Sequence, residues 1–165
     1  MKDDADKVFK ITDTSVMGVA GETCDRERFS SYILRNIALT KYRTGSQLDL
    51  DAIAEFTRSE LAYAIRRGPF QTNILIGGVD EDGKAKLFWL DYMGTMQQTA
   101  KGAHGYAGYF TTSILEDNYK VGLTQAEGLE IMKKCANEMR TRFLLDQTKF
   151  IVKVVTKDGI EEHDI

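Results

Sequence analysis

Proline is almost missing from this chain: Pro69 is the only one in 165 residues. No Ser/Gly-rich stretch stands in for it, which excludes a linker and a second unit, so residues 1–165 read as a single domain. Cysteine is nearly as scarce. Cys24 and Cys135 have no short-spaced partner, which excludes a disulfide framework and predicts reduced packing thiols, as suits the cytoplasm or nucleus. The two histidines, His104 and His163, make no metal-ligand spacing with them, and no cofactor fingerprint is present, so neither metal nor cofactor is expected. Excess charge is absent too. With 22 basic and 25 acidic residues the net charge is −3, and no basic stripe interleaved with aromatics argues for nucleic acid. No apolar run reaches membrane-spanning length, and Met1-Lys2-Asp3-Asp4 runs into charge rather than an apolar signal core, so neither a membrane partner nor secretion is expected.

What is present is core material, 42% hydrophobic and 10% aromatic, arranged in two periods. Val8 to Ile11 and Val16 to Gly21 read as strands around a Thr12–Ser15 turn. The period then becomes helical: Phe29, Tyr32, Ile33 and Ile37 form one stripe, stopped by Gly45. A second helix, capped by Asp49 or Asp51, carries Leu50, Ile53, Ala54, Thr57, Leu61, Ala64 and Ile65 and is expected to run to Gly68-Pro69. Asn73 to Val79 is apolar on both faces and predicts a central strand covered on both sides. Its partner, Lys86 to Asp91, follows a turn at Glu81–Lys84, and Thr95 to Thr99 makes a further short strand. The glycine-rich segment Gly102–Gly108 leads into a helix through Leu115. Thr124 and Glu127 form a capping box for a last helix with Met132, Cys135, Ala136, Met139 and Phe143 on its stripe. Phe150 to Val155 and Ile160 to Glu162 close the chain as strands around Lys157-Asp158-Gly159. Helices in pairs between groups of strands do not make a βαβ repeat. They predict an α+β fold, two antiparallel sheets face to face with a helical layer outside each.

The wording of several segments is more specific than this pattern. Asp6-Lys7-Val8-Phe9-Lys10-Ile11 and Gly18-Val19-Ala20-Gly21-Glu22 resemble the third and fourth strands of proteasome beta subunits. Leu75 to Asp80 and Asp91-Tyr92-Met93-Gly94-Thr95 resemble their central hairpin. Gly102-Ala103-His104-Gly105-Tyr106, with Glu127-Gly128-Leu129 and Lys157-Asp158-Gly159-Ile160, is similar to the beta type-2 class, the non-catalytic member at the fourth position of the beta ring. The resemblance covers essentially the whole chain. It implies the four-layer αββα sandwich of Ntn hydrolases. It also implies a place among other alpha and beta subunits in a hetero-oligomeric four-ring stack, the core complex of ubiquitin-dependent protein degradation.

Active members of that family use an N-terminal threonine as nucleophile, its α-amine as base, a tuning lysine and a glycine N–H as oxyanion donor. Under the resemblance the lysine falls at Lys7 and the glycine at Gly21, a helper serine falls at His104, and a supporting aspartate falls at Phe143. The nucleophile and the strand hairpin that carries it fall before Met1, so the chain is expected to be a family member shortened at its N-terminus. No catalytic residue is expected. The alternative is an active threonine peptidase whose true N-terminus lies outside this sequence.

The plainer reading of each candidate residue points the same way. Lys7 is expected to pair with Asp3 or Asp6 or to lie in solvent, and Gly21 to be a backbone position closed to side chains. The Gly102–Gly108 spacing does not match a nucleotide loop, so close packing or a subunit contact is expected there, with His104 a hydrogen-bonded structural residue and His163 solvated. Gly94-Thr95, the only Gly–Thr pair, reads as a turn rather than a processing site.

Overall fold

A computed structural model describes residues 6–142 and 149–165. The chain enters as a hairpin, β1 (Val8–Thr12) and β2 (Ser15–Gly21), whose turn is tied by the Thr12 and Ser15 hydroxyls 2.7 Å apart. Along β2, Ser15, Met17 and Val19 are buried, so alternation gives the strand one dry face.

Two helices lie on that face. In α1 (Thr23–Thr44), the Glu22 carboxylate accepts the Asp25 N–H at 3.0 Å, and Gly45 in left-handed geometry ends the helix with its N–H on the Lys41 carbonyl. The buried stripe is Phe29, Ser30, Ile33 and Ile37. Tyr32, expected inside, is 43% exposed and instead donates its hydroxyl to the Glu60 carboxylate at 2.9 Å. In α2 (Leu50–Ala64), Asp49 is the cap, accepting the Ala52 N–H at 2.7 Å. It ends four residues before the expected stop, with Ile65 as its C-cap, and the Arg67 N–H reaches the Ala64 carbonyl by an i→i−3 bond that tightens the turn beyond it.

The next strands complete a five-stranded antiparallel sheet in the order β1-β2-β3-β4-β5, with β3 (Thr72–Val79), β4 (Ala85–Leu90) and β5 (Met96–Thr99). β3 is central, as its apolar run predicts. Thr72, Ile74, Ile76 and Gly78 are buried toward the helices, while Asn73, Leu75, Gly77 and Val79 on the opposite face are half-buried. Met17, Val19, Ile74, Ile76, Phe88 and Leu90 meet Phe29, Ile33, Leu50, Ile53 and Leu61 in one core. Each such side chain contributes about 1.5–3 kcal/mol by leaving water.

The rest of the chain builds the other half. α3 (Tyr106–Asn118) packs on α4 (Gln125–Arg142), and α4 packs on β6 (Ile151–Thr156), which pairs with β7 (Gly159–Asp164) and meets β3. The capping box forms: Thr124 N–H donates to the Glu127 carboxylate at 2.9 Å, and Glu127 N–H to the Thr124 hydroxyl at 3.3 Å. The α4 stripe is Ile131, Cys135, Ala136 and Met139, with Met132 exposed, and Phe143 lies outside the described residues. The layers therefore run α1/α2, five-stranded sheet, β6/β7, α3/α4, an α+β sandwich of two antiparallel sheets between helices, as in Ntn hydrolases.

Candidate functional site

The residues singled out by resemblance come from three segments that converge at one end of β2. Lys7 immediately precedes β1, and Gly21 ends β2. Gly105, next to His104, lies beside Ala20, where a β-carbon added to the glycine would stand 3.8 Å from the alanine's own.

Lys7 is exposed, and its backbone carbonyl takes the Val19 N–H at 2.9 Å. It does not pair with Asp6. That carboxylate faces Lys153 on β6 at 2.5 Å and also accepts the Val8 N–H at 2.9 Å. Asp3 lies outside the described residues. Partial burial pushes the Asp6 carboxyl up, but the hydrogen bond and charge of Lys153, with the Val8 and Lys7 N–H groups, outweigh it and hold Asp6 below the ordinary carboxylate range. Lys153 also donates to the Val8 carbonyl at 2.7 Å. The segment carrying Lys7 is thus fastened on both sides of that residue, by a lysine 146 positions away in sequence (153 − 7).

Gly21 sits opposite Thr72 with φ +136°. A β-carbon there would lie 2.0 Å from the Gln71 carbonyl oxygen, which already accepts the Glu22 N–H at 3.1 Å. The position is closed to every side chain. Successive N–H groups alternate along a strand, so Gly21 directs its N–H to the same side as Val19, toward β1.

His104 is half-buried. Its Nε2 is 3.1 Å from the Ile74 carbonyl oxygen, and its ring stacks on Trp89 with centroids 4.7 Å apart. Burial pushes its pKa below the usual histidine value, and the Ile74 and Leu90 carbonyls with the Asp91 charge only partly oppose this, so the ring is neutral at physiological pH. The Ile74 carbonyl requires a donor, which places the proton on Nε2. The neighbouring Gly102 permits close packing, since a β-carbon on it would come within 3.2 Å of Leu75. His163 is not solvated as expected but half-buried, with Nε2 3.5 Å from a Glu161 carboxylate oxygen.

Gly94-Thr95 forms the turn read from the sequence. The Asp91 carboxylate accepts the N–H groups of both Met93 and Thr95 at 2.9 Å, and Gly94 is pressed onto Ala62 of α2 so that a β-carbon would lie 2.8 Å away. A shallow cleft of about 280 Å³ opens between Trp89, Gln97, Lys101, Leu115 and Glu116. Thr99 and Thr112 border it, but their hydroxyls donate to the Lys101 and Gly108 carbonyls, and neither is set against a base. Among the described residues no group of His, Cys, Asp and Glu side chains could hold a metal. No helix among them is long and apolar enough to cross a membrane. Cys24 is exposed, and burial pushes the Cys135 thiol up, away from nucleophilic use.

Sequence reasoning missed Lys153. Its partners Asp6 and Val8 lie at the other end of the chain, and a lysine inside a β-branched run reads as an outward-facing strand position.

Comparison with known proteins agrees with this architecture. Residues 1–155 match the family model described as proteasome subunit. The chain is 41% identical over 166 residues to proteasome subunit beta type-4 of Saccharomyces cerevisiae, covering 99% of this chain and 84% of the relative. It is 36% identical over 162 residues to proteasome subunit beta type-2-A of Arabidopsis thaliana, covering 98% and 79%. It is 38% identical over 164 residues to proteasome subunit beta type-2 of Dictyostelium discoideum, covering 98% and 82%. With the family model spanning nearly the whole chain and these relatives covered over most of their length, the chain belongs to the eukaryotic proteasome beta-subunit family.

Proposed function

We propose that this chain is a non-catalytic structural subunit of the proteasome core particle, of the beta type-2 class; its relatives include subunits named beta type-2 and beta type-4. It takes one place in the beta ring, stacks on an alpha ring, faces the opposite beta ring, and works in cytoplasm and nucleus. Its contribution to degradation is the wall it adds to the chamber and to the pocket of an active neighbour.

The observation that carries the non-catalytic reading is His104. Where the family's helper serine aligns, this chain has an imidazole whose Nε2 is committed to the Ile74 carbonyl and whose face is committed to Trp89. Lys7 supports it, because its side chain is exposed and, among the described residues, no carboxylate lies within ion-pair distance of it, so it lacks the burial that tunes a nucleophile.

Replacing Lys7 by Ala in assembled particles tests this. Each peptide-hydrolysing activity of the particle is expected to stay within about twofold of wild type, the range of an exposed substitution. An electrophilic peptide that labels threonine nucleophiles is expected to leave this subunit unlabelled in intact-mass spectra. Loss of one activity in the Lys7→Ala particle, or a label on this chain, restores the reading of an active threonine peptidase.

A further inference from the structure

One corner of the α1/α2 layer has a chemistry the ring-subunit reading does not use. Arg28, in the first third of α1, is exposed and lies over the Phe70 ring, 6.0 Å from its centroid. Arg67, in the turn after α2, is exposed and stacks on Tyr63 at 3.8 Å. Arg66 beside it is exposed as well. Among the described residues no carboxylate lies within ion-pair distance of these three guanidinium groups. The nearby acidic side chains are engaged elsewhere: Asp25 accepts the Gln71 N–H at 2.9 Å and Glu60 accepts the Tyr32 hydroxyl at 2.9 Å.

A guanidinium attracted to an aromatic face is restrained there while its N–H donors remain open. That lowers the ordering cost of a two-point hydrogen bond to a carboxylate. The supporting scaffold is firm. Phe70 packs on core residue Phe29 with ring centroids 4.8 Å apart and Pro69 restricts the loop, while Tyr63, 64% exposed, leaves its ring open to a partner. Arginine and tyrosine together are the composition of interface hot spots.

We propose that this corner docks a partner protein segment bearing Asp or Glu side chains, which the Arg28 and Arg67 edges grip while Tyr63 covers its apolar part. A nucleic acid fits less well: a continuous polyanion calls for a basic stripe along its backbone, and the sequence carries none beyond this local arginine group. The identification of that partner as another subunit rests on the ring reading above; the docking surface does not.

Two measurements on the full-length chain in eukaryotic cells test the proposal and separate it from that reading. The first puts a benzophenone photo-crosslinker at Tyr63 and sequences the captured peptide. The second compares wild type with Arg28→Glu/Arg67→Glu and Arg28→Gln/Arg67→Gln for the share bound to the captured partner. The expected result is a peptide rich in Asp or Glu and an approximately tenfold or greater loss of the bound share on charge reversal, with a smaller loss for the Gln pair. The purified variants should melt with wild type, since both arginines are exposed. If the chain sediments outside large particles yet crosslinks to an acidic segment, the ring reading fails and the docking surface stands. If it sediments with large particles but the variants bind as wild type, the docking surface is overturned. No crosslink, a captured peptide without carboxylates, or a nuclease-sensitive adduct likewise overturns it.

Discussion

Lys153 keeps its ammonium in a site only 10% exposed, which is sustainable because Asp6, Glu162 and the Val8 carbonyl surround it. Burial alone would lower its pKa, but the two carboxylates outweigh that and raise it. Asp6 is depressed in turn, so its contribution is present above the ordinary aspartate range and is lost as the pH falls through its lowered value; that of Lys153 is lost only as the pH rises through its raised value. The pair is intact at neutral pH. Lys153→Met strands a carbonyl and a carboxylate that stays half in water, so a loss of about 1–2 kcal/mol is expected in urea unfolding at pH 7, shrinking in acid as Asp6 protonates in both forms. Gly21→Ala belongs to another class of damage. Its β-carbon would stand 2.0 Å from a backbone oxygen that cannot move without breaking the β2–β3 ladder. The expected cost is ~3 kcal/mol or more, read as a lower urea midpoint with unchanged slope, or as loss of folded protein.

At the scale of elements, the α4 start can be taken apart the same way. Glu127 is held at about 2, first by the hydrogen bond from Lys120, then by the Thr124 N–H and hydroxyl. A depressed carboxyl stabilises fully above its unfolded value of 4.5 and loses that contribution as the pH falls through about 2. In a carboxyl NMR titration Glu127 should therefore stay ionised at pH 3, well below the ordinary glutamate value of 4.5. Thr124→Ala should raise its midpoint toward the ordinary value and cost about 1 kcal/mol. This box was legible because both partners lie within one helical turn, as were the Asp49 cap and the Gly45 stop. What was not legible needed distance or smallness. Ser30 is 1% exposed in the α1 core, yet a serine reads as surface, while the helical period puts Tyr32 on the inner stripe and cannot show that its hydroxyl finds a partner on α2, 28 positions on. Gly68-Pro69 marks where a helix cannot continue, not where it must stop, and α2 ends at Ala64. The candidate site divides likewise. Gly21 could be read as a position without room, but the preference of Asp6 for Lys153 over Lys7 exists only once β6 lies beside β1.

The two halves of the whole molecule are unequal, and the inequality has a functional consequence. The core cluster belongs to α1, α2 and strands β2, β3 and β4. By contrast β6 and β7 contain no fully buried residue, and α3 buries only Thr111. On that side Tyr109 is 85%, Tyr106 72% and Val121 92% exposed. Local opening is governed by how much apolar surface an element buries, so the isolated chain should exchange amide hydrogens of α3, β6 and β7 well before those of β3. A subunit that completes this half by contact with its neighbours gains protection there through linkage, about a hundredfold where the partner is present at a hundred times its dissociation constant. Hydrogen-exchange mass spectrometry on the isolated chain and on assembled particles measures the difference directly. The expected outcome is a large slowing confined to peptides from residues 106–118 and 151–164, with β3 slow in both states. Equal protection of those peptides in the two states would mean that this half needs no neighbour, and that the exposed tyrosines do not face one.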